Sequence, residues 1–229
     1  MKHLLSVLAI TLLVNTAVRA DDGYTWGIFQ APAVFGGLGA AKTHLDDDGY
    51  FHDVFADLGA GRPGVDNNAH TGHVFGGYRF NKFLAAQIDV RDLGSYEAKS
   101  ATSKYTQDFG ALTLSAVGFL PLGNYVSLYG QAGIGSVGVH EKISVPGFRA
   151  SGDDGAGTGT LGAGVELRPF GLDKLAVRLS WQSYFFTARY DRYYISNPGG
   201  NVHVYLRDEN NYDQRIDTFG LDLAWYFSL

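Results

Sequence analysis

The chain has 229 residues, with 18 Lys or Arg against 23 Asp or Glu, so its formal net charge is −5. That balance argues against a nucleic-acid partner, which requires a basic face. The lack of cysteine excludes a disulfide framework and thiol chemistry. The 31 glycines and a mean hydropathy of −0.06 do not fit a helical membrane protein, which is far more apolar.

The N-terminus has the pattern of a secretory signal peptide. Lys2 precedes a short apolar run, residues 4–14, and the segment ends at the small residue Ala20. The run is too short to span a bilayer comfortably, which disfavours a membrane anchor. We therefore predict that residues 1–20 are a cleaved signal peptide and that residues 21–229 form one exported domain.

Eight segments alternate apolar with small or polar residues, as strands with one apolar face do. They are residues 33–44, 71–80, 83–92, 109–120, 126–137, 158–168, 174–184 and 219–229. From the third strand onward the apolar face carries no charge, and the charged residues lie on the opposite face. These charged residues are Asp89, Arg91, Glu166, Arg168, Arg178 and Asp222.

The alternation fits both a soluble sandwich and a membrane barrel, but the connections favour the barrel. Three connections are short, near residues 81–82, 121–124 and 169–173, and they alternate with four long ones. The long ones are residues 45–70, 93–108, 138–157 and 185–216. Alternation of short periplasmic turns with long extracellular loops is typical of outer-membrane barrels. We predict an all-β fold, an eight-stranded antiparallel up-and-down transmembrane β-barrel, whose narrow interior side chains can fill.

Several segments resemble the OmpA-like family of eight-stranded outer-membrane barrels. They are Phe-Gly-Gly-Tyr-Arg-Phe-Asn-Lys-Phe at residues 75–83, Asp-Leu-Gly at 92–94, Leu-Ser-Ala-Val-Gly-Phe-Leu-Pro-Leu-Gly at 114–123, and Gly-Ala-Gly-Val-Glu at 162–166. The resemblance spans most of the chain and implies the outer membrane of a Gram-negative bacterium. The chain shows no counterpart of the peptidoglycan-binding domain of larger relatives, so cell-wall anchoring is not expected.

The resemblance also implies a lumen plugged by an ionic network, formed here by Asp89, Arg91, Glu166, Arg168, Arg178 and Asp222. The turn at residues 169–173 brings Glu166 and Arg178 nearly opposite each other on the lumen face. This pair either gates a narrow pore or satisfies its own charges in a buried polar core, because unpaired buried charge is costly. The sequence leaves both interpretations open.

The last strand carries the expected assembly signal. Leu223, Trp225, Phe227 and Leu229 all lie on its apolar face, although the family usually ends in an aromatic residue. The partners implied are periplasmic chaperones, the barrel-assembly machinery, outer-membrane lipid and lipopolysaccharide. Because a closed barrel has no edge to pair, we expect a monomer.

Other polar groups fit a catalytic or metal site poorly, so we predict no catalytic residue, metal or cofactor. His70 and His73 are three apart, so on a strand they point to opposite faces. The acidic run at residues 46–48 and Asp53 lack a calcium-loop spacing, and a helical turn is predicted near 53–58. Ser196 has no histidine two residues before it, although His203 follows in the sequence.

The tyrosine-rich last connection suits contact with a protein or glycan, or else packs the upper strand extensions. It contains Tyr190, Tyr193, Tyr194, Tyr205 and Tyr212. We expect a non-enzymatic barrel that supports membrane integrity and presents surface loops. The alternatives are a narrow porin-like channel for small solutes and an adhesin or receptor that acts through its loops.

Overall fold

The computed structural model describes residues 32–57, 61–146, 148–169, 172, 174–196 and 203–228. Within them the chain forms nine strands and one helix. In order these are β1 (Ala33–Asp46), α1 (Tyr50–Asp57), β2 (Gly64–Asp66), β3 (Asn68–Arg79), β4 (Leu84–Lys99), β5 (Lys104–Pro121), β6 (Val126–Val145), β7 (Phe148–Leu167), β8 (Leu175–Ser196) and β9 (His203–Ser228). The predicted signal peptide, residues 1–20, and Leu229 lie outside the described residues.

Eight strands close into one antiparallel barrel, which confirms the predicted fold. β1 pairs with β3 on one side and with β9 on the other, from Ala33 opposite Ser228 to Asp46 opposite Arg215. β4 to β9 each pair with their neighbours in the chain. The short β2 pairs only with β4 and adds no member to the ring. Among the described residues, no helix is long and apolar enough to cross a bilayer.

The lower part of the barrel wall is apolar on its outer side. Large aliphatic side chains stand exposed on all eight ring strands, and Ile134, at 73% exposed, is the extreme case. We call this ring the lipid-facing belt, and its members include Leu38, Val74, Ile88, Leu114, Ile134, Leu161, Leu179 and Leu221. Such a continuous exposed apolar band is stable in hydrocarbon and costly in water.

Above the belt, the apolar residues change to the inner face. In β6, Leu128 and Ile134 point outward, whereas Val137 and Val139 are buried inside the barrel. In β9 the same change separates exposed Phe219 from buried Ile216. The strand itself continues, but its outer face now meets water instead of lipid, so the apolar side chains pack inward.

This change of face explains a wrong prediction about the connections. Three of the four segments predicted as long loops are mostly strand: β4 runs to Lys99, β6 to Val145 and β8 to Ser196. The alternation shifts by one residue at the edge of the belt, so the regular pattern in the sequence stops there although the strand continues. The three short turns, in contrast, are where the sequence predicted them.

The remaining connection, between β1 and β2, carries the helix. α1 starts at Tyr50, earlier than the helical turn predicted near residues 53–58. Its Phe51 and Phe55 are fully buried and belong to an apolar cluster inside the upper barrel. The ring of Phe51 meets the ring of Tyr105 edge-on, with 5.7 Å between their centroids. The helix thus contributes to the core of the upper barrel.

The change of face predicts a specific pattern of surface accessibility. The chain lacks cysteine, so single cysteines can carry nitroxide labels without background. We expect a label at Ile134 to be reached by dissolved oxygen in the bilayer, and a label at Lys142 by a water-soluble nickel complex. Electron paramagnetic resonance relaxation measures both, and Val137 is the matched buried control. Oxygen-dominated relaxation at Lys142 would contradict the assignment.

Candidate functional site in the lumen

The lower lumen is organised around one carboxylate, that of Glu166. Arg178 Nε donates to Glu166 Oε2 at 2.9 Å, and the Tyr226 hydroxyl donates to the same oxygen at 2.5 Å. The other oxygen, Oε1, accepts from Arg79 and Arg168, each at 3.4 Å. All these side chains are buried. We call the five residues Glu166, Arg79, Arg168, Arg178 and Tyr226 the Glu166 cluster.

Two contacts of this cluster bridge the full width of the barrel. β3 and β7 are four strands apart in a ring of eight, so the Arg79–Glu166 ion pair joins opposite walls. β4 and β8 are also opposite, and Arg178 donates to Gln87 Oε1 at 3.0 Å. In contrast, Glu166 and Arg178 are direct cross-strand neighbours. Side chains from opposite walls therefore meet across the lumen at this level.

The Glu166 cluster contains three guanidinium groups and one carboxylate, and aromatic rings stabilise the excess positive charge. Arg79 lies over the ring of Phe119 at 3.9 Å, and Arg168 lies over that of Tyr226 at 4.5 Å. Arg178 lies 5.1 Å from the centroid of Phe35, and the rings of Phe75, Phe119 and Tyr129 are also within 6 Å of it. The negative face of an aromatic ring attracts a cation, most strongly where water is excluded.

Two glycines allow the rings of β1 and β3 to lie flat against the wall. Gly37 is opposite Phe75, and Phe35 is opposite Gly77, so each ring covers the glycine of the neighbouring strand. A Cβ at Gly37 would lie 2.4 Å from the Phe75 ring, and one at Gly77 would lie 2.4 Å from the Phe35 ring. Any larger residue at either site would therefore displace a ring that faces Arg178.

A second set of charges, the Arg91 cluster, comprises Asp89, Arg91, His73, Asp222 and Thr218. Arg91 Nε donates to Asp89 Oδ1 at 3.2 Å, and its terminal nitrogens lie 3.3 Å from Thr218 Oγ1 and from His73 Nε2. His73 Nε2 is 3.4 Å from Asp222 Oδ1. These groups come from three strands, β3, β4 and β9. They bring polar contacts into the lumen next to the Glu166 cluster.

The six charged residues singled out by sequence all lie buried in the lumen, but in two groups. Glu166, Arg168 and Arg178 belong to the first cluster, and Asp89, Arg91 and Asp222 to the second. Sequence reasoning missed Arg79, His73, Tyr226 and the aromatic rings. Strand parity contained the signal, because Arg79 and His73 share the inner face of β3 and Tyr226 shares that of Asp222 on β9.

The other sequence candidates do not converge on one site. His70 is exposed and His73 is buried, which agrees with their expected opposite faces. Asp47 Oδ2 accepts a hydrogen bond from the amide of Phe51 at 3.0 Å, so this acidic residue caps the N-terminus of α1. Within the described part of the chain, no three His, Cys, Asp or Glu residues form a group that could hold a metal ion.

Ser196 and His203 form the last backbone pair of the β8–β9 ladder. Their side chains are outside the described part of the chain. The upper parts of these strands carry the tyrosines of the predicted last loop. Of these, Tyr212 is buried against α1, with its ring centroid 5.0 Å from that of Tyr50.

On the last strand, Leu223, Trp225 and Phe227 are exposed in the lipid-facing belt. Leu229, the fourth residue of the predicted signal, lies outside the described residues. Their role as an assembly signal stays a prediction.

The contact between Arg79 and Phe119 predicts an energetic coupling. We expect Phe119→Leu to destabilise the barrel through lost packing and through a lost cation–π contact of about 2 kcal/mol, as for a desolvated pair. A double-mutant cycle with Arg79→Met isolates the second contribution, measured by reversible urea unfolding in lipid vesicles. A coupling energy near zero would show that the ring only fills space.

The fold is that of several solved outer-membrane proteins. The attachment invasion locus protein Ail of Yersinia pestis is 17% identical, with a TM-score of 0.51 over 86% of this chain and 100% of that chain. Neisserial surface protein A is 12% identical, with a TM-score of 0.52 over 85% of this chain and 97% of that one. The Escherichia coli outer membrane protease OmpT is 8% identical, with a TM-score of 0.51 over 87% and 99%. At such identities the likeness shows the fold alone.

The family is identified by comparison of the sequence with family models. No curated protein matches the chain by sequence. The family model of the OmpA-like transmembrane domain matches residues 30–198, which include seven of the eight ring strands, all except β9. With the closed barrel, the lipid-facing belt and the filled lumen, this match identifies an outer-membrane barrel protein, and the chain belongs to the OmpA-like transmembrane domain family.

Proposed function

We propose that this outer-membrane barrel is a sealed structural protein that supports membrane integrity and presents a rigid wall at the cell surface. The observation that carries the proposal is the pair of contacts across the lumen, Arg79 to Glu166 and Arg178 to Gln87. They join opposite walls through buried, charge-assisted hydrogen bonds, which are among the stronger contacts in proteins.

A second layer of packing supports the sealed interpretation. Above the ionic clusters, the upper lumen is filled by a cluster of buried apolar and aromatic side chains. These include Phe51, Phe55, Leu93, Tyr96, Phe109, Val137, Val139, Tyr184, Phe186 and Ile216. A solute would have to displace both this core and the Glu166 cluster to cross the membrane. Two packed layers in series favour a scaffold over a pore.

The second candidate function is a narrow channel for small polar solutes. Some buried polar atoms near the Arg91 cluster make no hydrogen bond within the described structure. They are Thr113 Oγ1, Thr160 Oγ1 and Tyr184 Oη. Buried groups of this kind generally need water partners, which favours a hydrated middle section. A hydrated chamber becomes a channel only if both packed layers open.

The proposal includes no enzymatic activity. The fold does not decide this point, since the barrel of OmpT is that of a protease. We also propose that the belt contacts lipid and lipopolysaccharide, that the barrel-assembly machinery and periplasmic chaperones deliver the chain, and that the barrel is monomeric. Ring closure supports the last point, because it leaves no strand edge within the membrane.

Conductance of the refolded barrel in a planar bilayer tests the sealed lumen. We expect the wild type, Glu166→Ala and Arg178→Ala all to be silent, because the apolar layer around α1 persists when one charge is removed. Heat-modifiable gel mobility confirms that each sample contains folded barrels. Discrete openings in the wild type, or openings that grow when either charge is removed, would favour the channel and reject the sealed scaffold.

A further inference from the structure

The wall of the barrel is split between β7 and β8 above the belt. β7 pairs with β6 along its whole length, from Phe148 to Leu167. Its pairing with β8 stops at Thr158, opposite Phe186, although β8 continues to Ser196 paired only with β9. Residues 148–157 therefore have no strand partner on this side among the described residues. We call them the upper edge of β7.

A local hydrogen bond shows which way the backbone of this edge faces. The amide of Gly155 donates to the neighbouring carboxylate, Asp154 Oδ1, at 2.7 Å. In an antiparallel strand the N–H and C=O of one residue point to the same side, and successive residues alternate. An amide that donates to a neighbouring side chain faces away from the β6 ladder. Gly155 and Gly157 therefore turn their backbone groups toward the open side.

The same stretch has three glycines, so little side-chain bulk stands on either face of the sheet next to an approaching strand. A Cβ at Gly152 or Gly157 would meet nothing within 4 Å, and one at Gly155 would meet only the Val137 carbonyl, at 3.6 Å. Glycines within a strand often mark a place where another backbone comes close. Ten residues of free edge exceed the usual strand length of five or six, so the edge can accept a complete strand.

The charge of the edge favours a basic partner segment over a second copy of the same edge. The upper edge contains two carboxylates, Asp153 and Asp154, against one cation, Arg149, so its formal charge is negative. The Asp153 side chain is 86% exposed, and its carboxylate lies 2.6 Å from His140 Nδ1 on β6. Two copies of this edge paired about Asp153 and Asp154 would bring these carboxylates together, and like charges facing each other across strands are destabilising. A segment that carries Lys or Arg would instead gain attraction.

We propose that the upper edge of β7 binds an extended, basic segment of another protein by adding it to the sheet as a further strand. Main-chain hydrogen bonds to the edge supply the affinity, and Asp153 and Asp154 select cationic side chains. The proposal rests on the proposed surface scaffold, since the barrel must hold this edge outside the membrane. It does not depend on whether the lumen conducts.

Fluorescence anisotropy with the detergent-solubilised protein tests the proposal. The probe is a labelled ten-residue peptide of alternating Lys and Thr, which is too polar to enter the micelle. We expect saturable binding that weakens about tenfold or more in Gly155→Pro, because proline removes an edge donor and hinders strand pairing. Gly155→Ala keeps the amide and is the matched control, with affinity expected within about twofold of wild type.

Two further comparisons separate strand addition from simple charge attraction. The same peptide methylated on consecutive backbone nitrogens keeps its charge but cannot donate, and we expect it not to bind. Asp153→Asn with Asp154→Asn should weaken binding, whereas Asp46→Asn with Asp48→Asn should not. Equal binding of both peptides, or unchanged affinity in Gly155→Pro, would overturn the proposal. So would a dimer of this chain that Gly155→Pro dissociates, because the occupant would then be a second copy.

Discussion

A single buried carboxylate determines how the lumen of this barrel is filled. Glu166 accepts hydrogen bonds from three arginines and one tyrosine, which lie on β3, β8, β9 and the turn after β7, and all five side chains are buried. A guanidinium group excluded from water is costly unless it is paired, so the arginines of the lower lumen depend on the position of this one side chain. The direct cross-strand pairing of β7 with β8 fixes Glu166 beside Arg178, and Arg79 then reaches it from the opposite wall.

The remaining features of the lower lumen follow from an excess of positive charge around Glu166. Three cations on one anion require further stabilisation, and the rings of Phe35, Phe75, Phe119, Tyr129 and Tyr226 supply it around the guanidinium groups. The rings of β1 and β3 fit because Gly37 and Gly77 leave space beneath them. These contacts also form the core of the lower barrel, so in the proposed sealed scaffold stability and closure come from the same residues.

Sequence alternation was sufficient to predict the membrane part of the fold, because lipid on one side and a polar lumen on the other produce a strict two-residue period. It failed above the belt, where water replaces lipid and the apolar residues, such as Val137 and Ile216, move to the inner face. Glu166 and Arg178 could be paired because one short turn joins their strands. Arg79 and His73 could not be assigned partners, since contacts across a barrel depend on ring closure and on the tilt of distant strands.

Urea unfolding of Glu166→Gln, Arg79→Gln and the double variant in lipid vesicles tests the central claim most directly. If Glu166 holds the three arginines, Glu166→Gln should cost about 3–5 kcal/mol, the usual loss when a buried charge loses its partner, and Arg79→Gln should cost less. The double variant should then be more stable than Glu166→Gln alone, because removing Arg79 relieves repulsion among the remaining cations. Strictly additive losses, or a cost for Glu166→Gln below about 1 kcal/mol, would contradict the account.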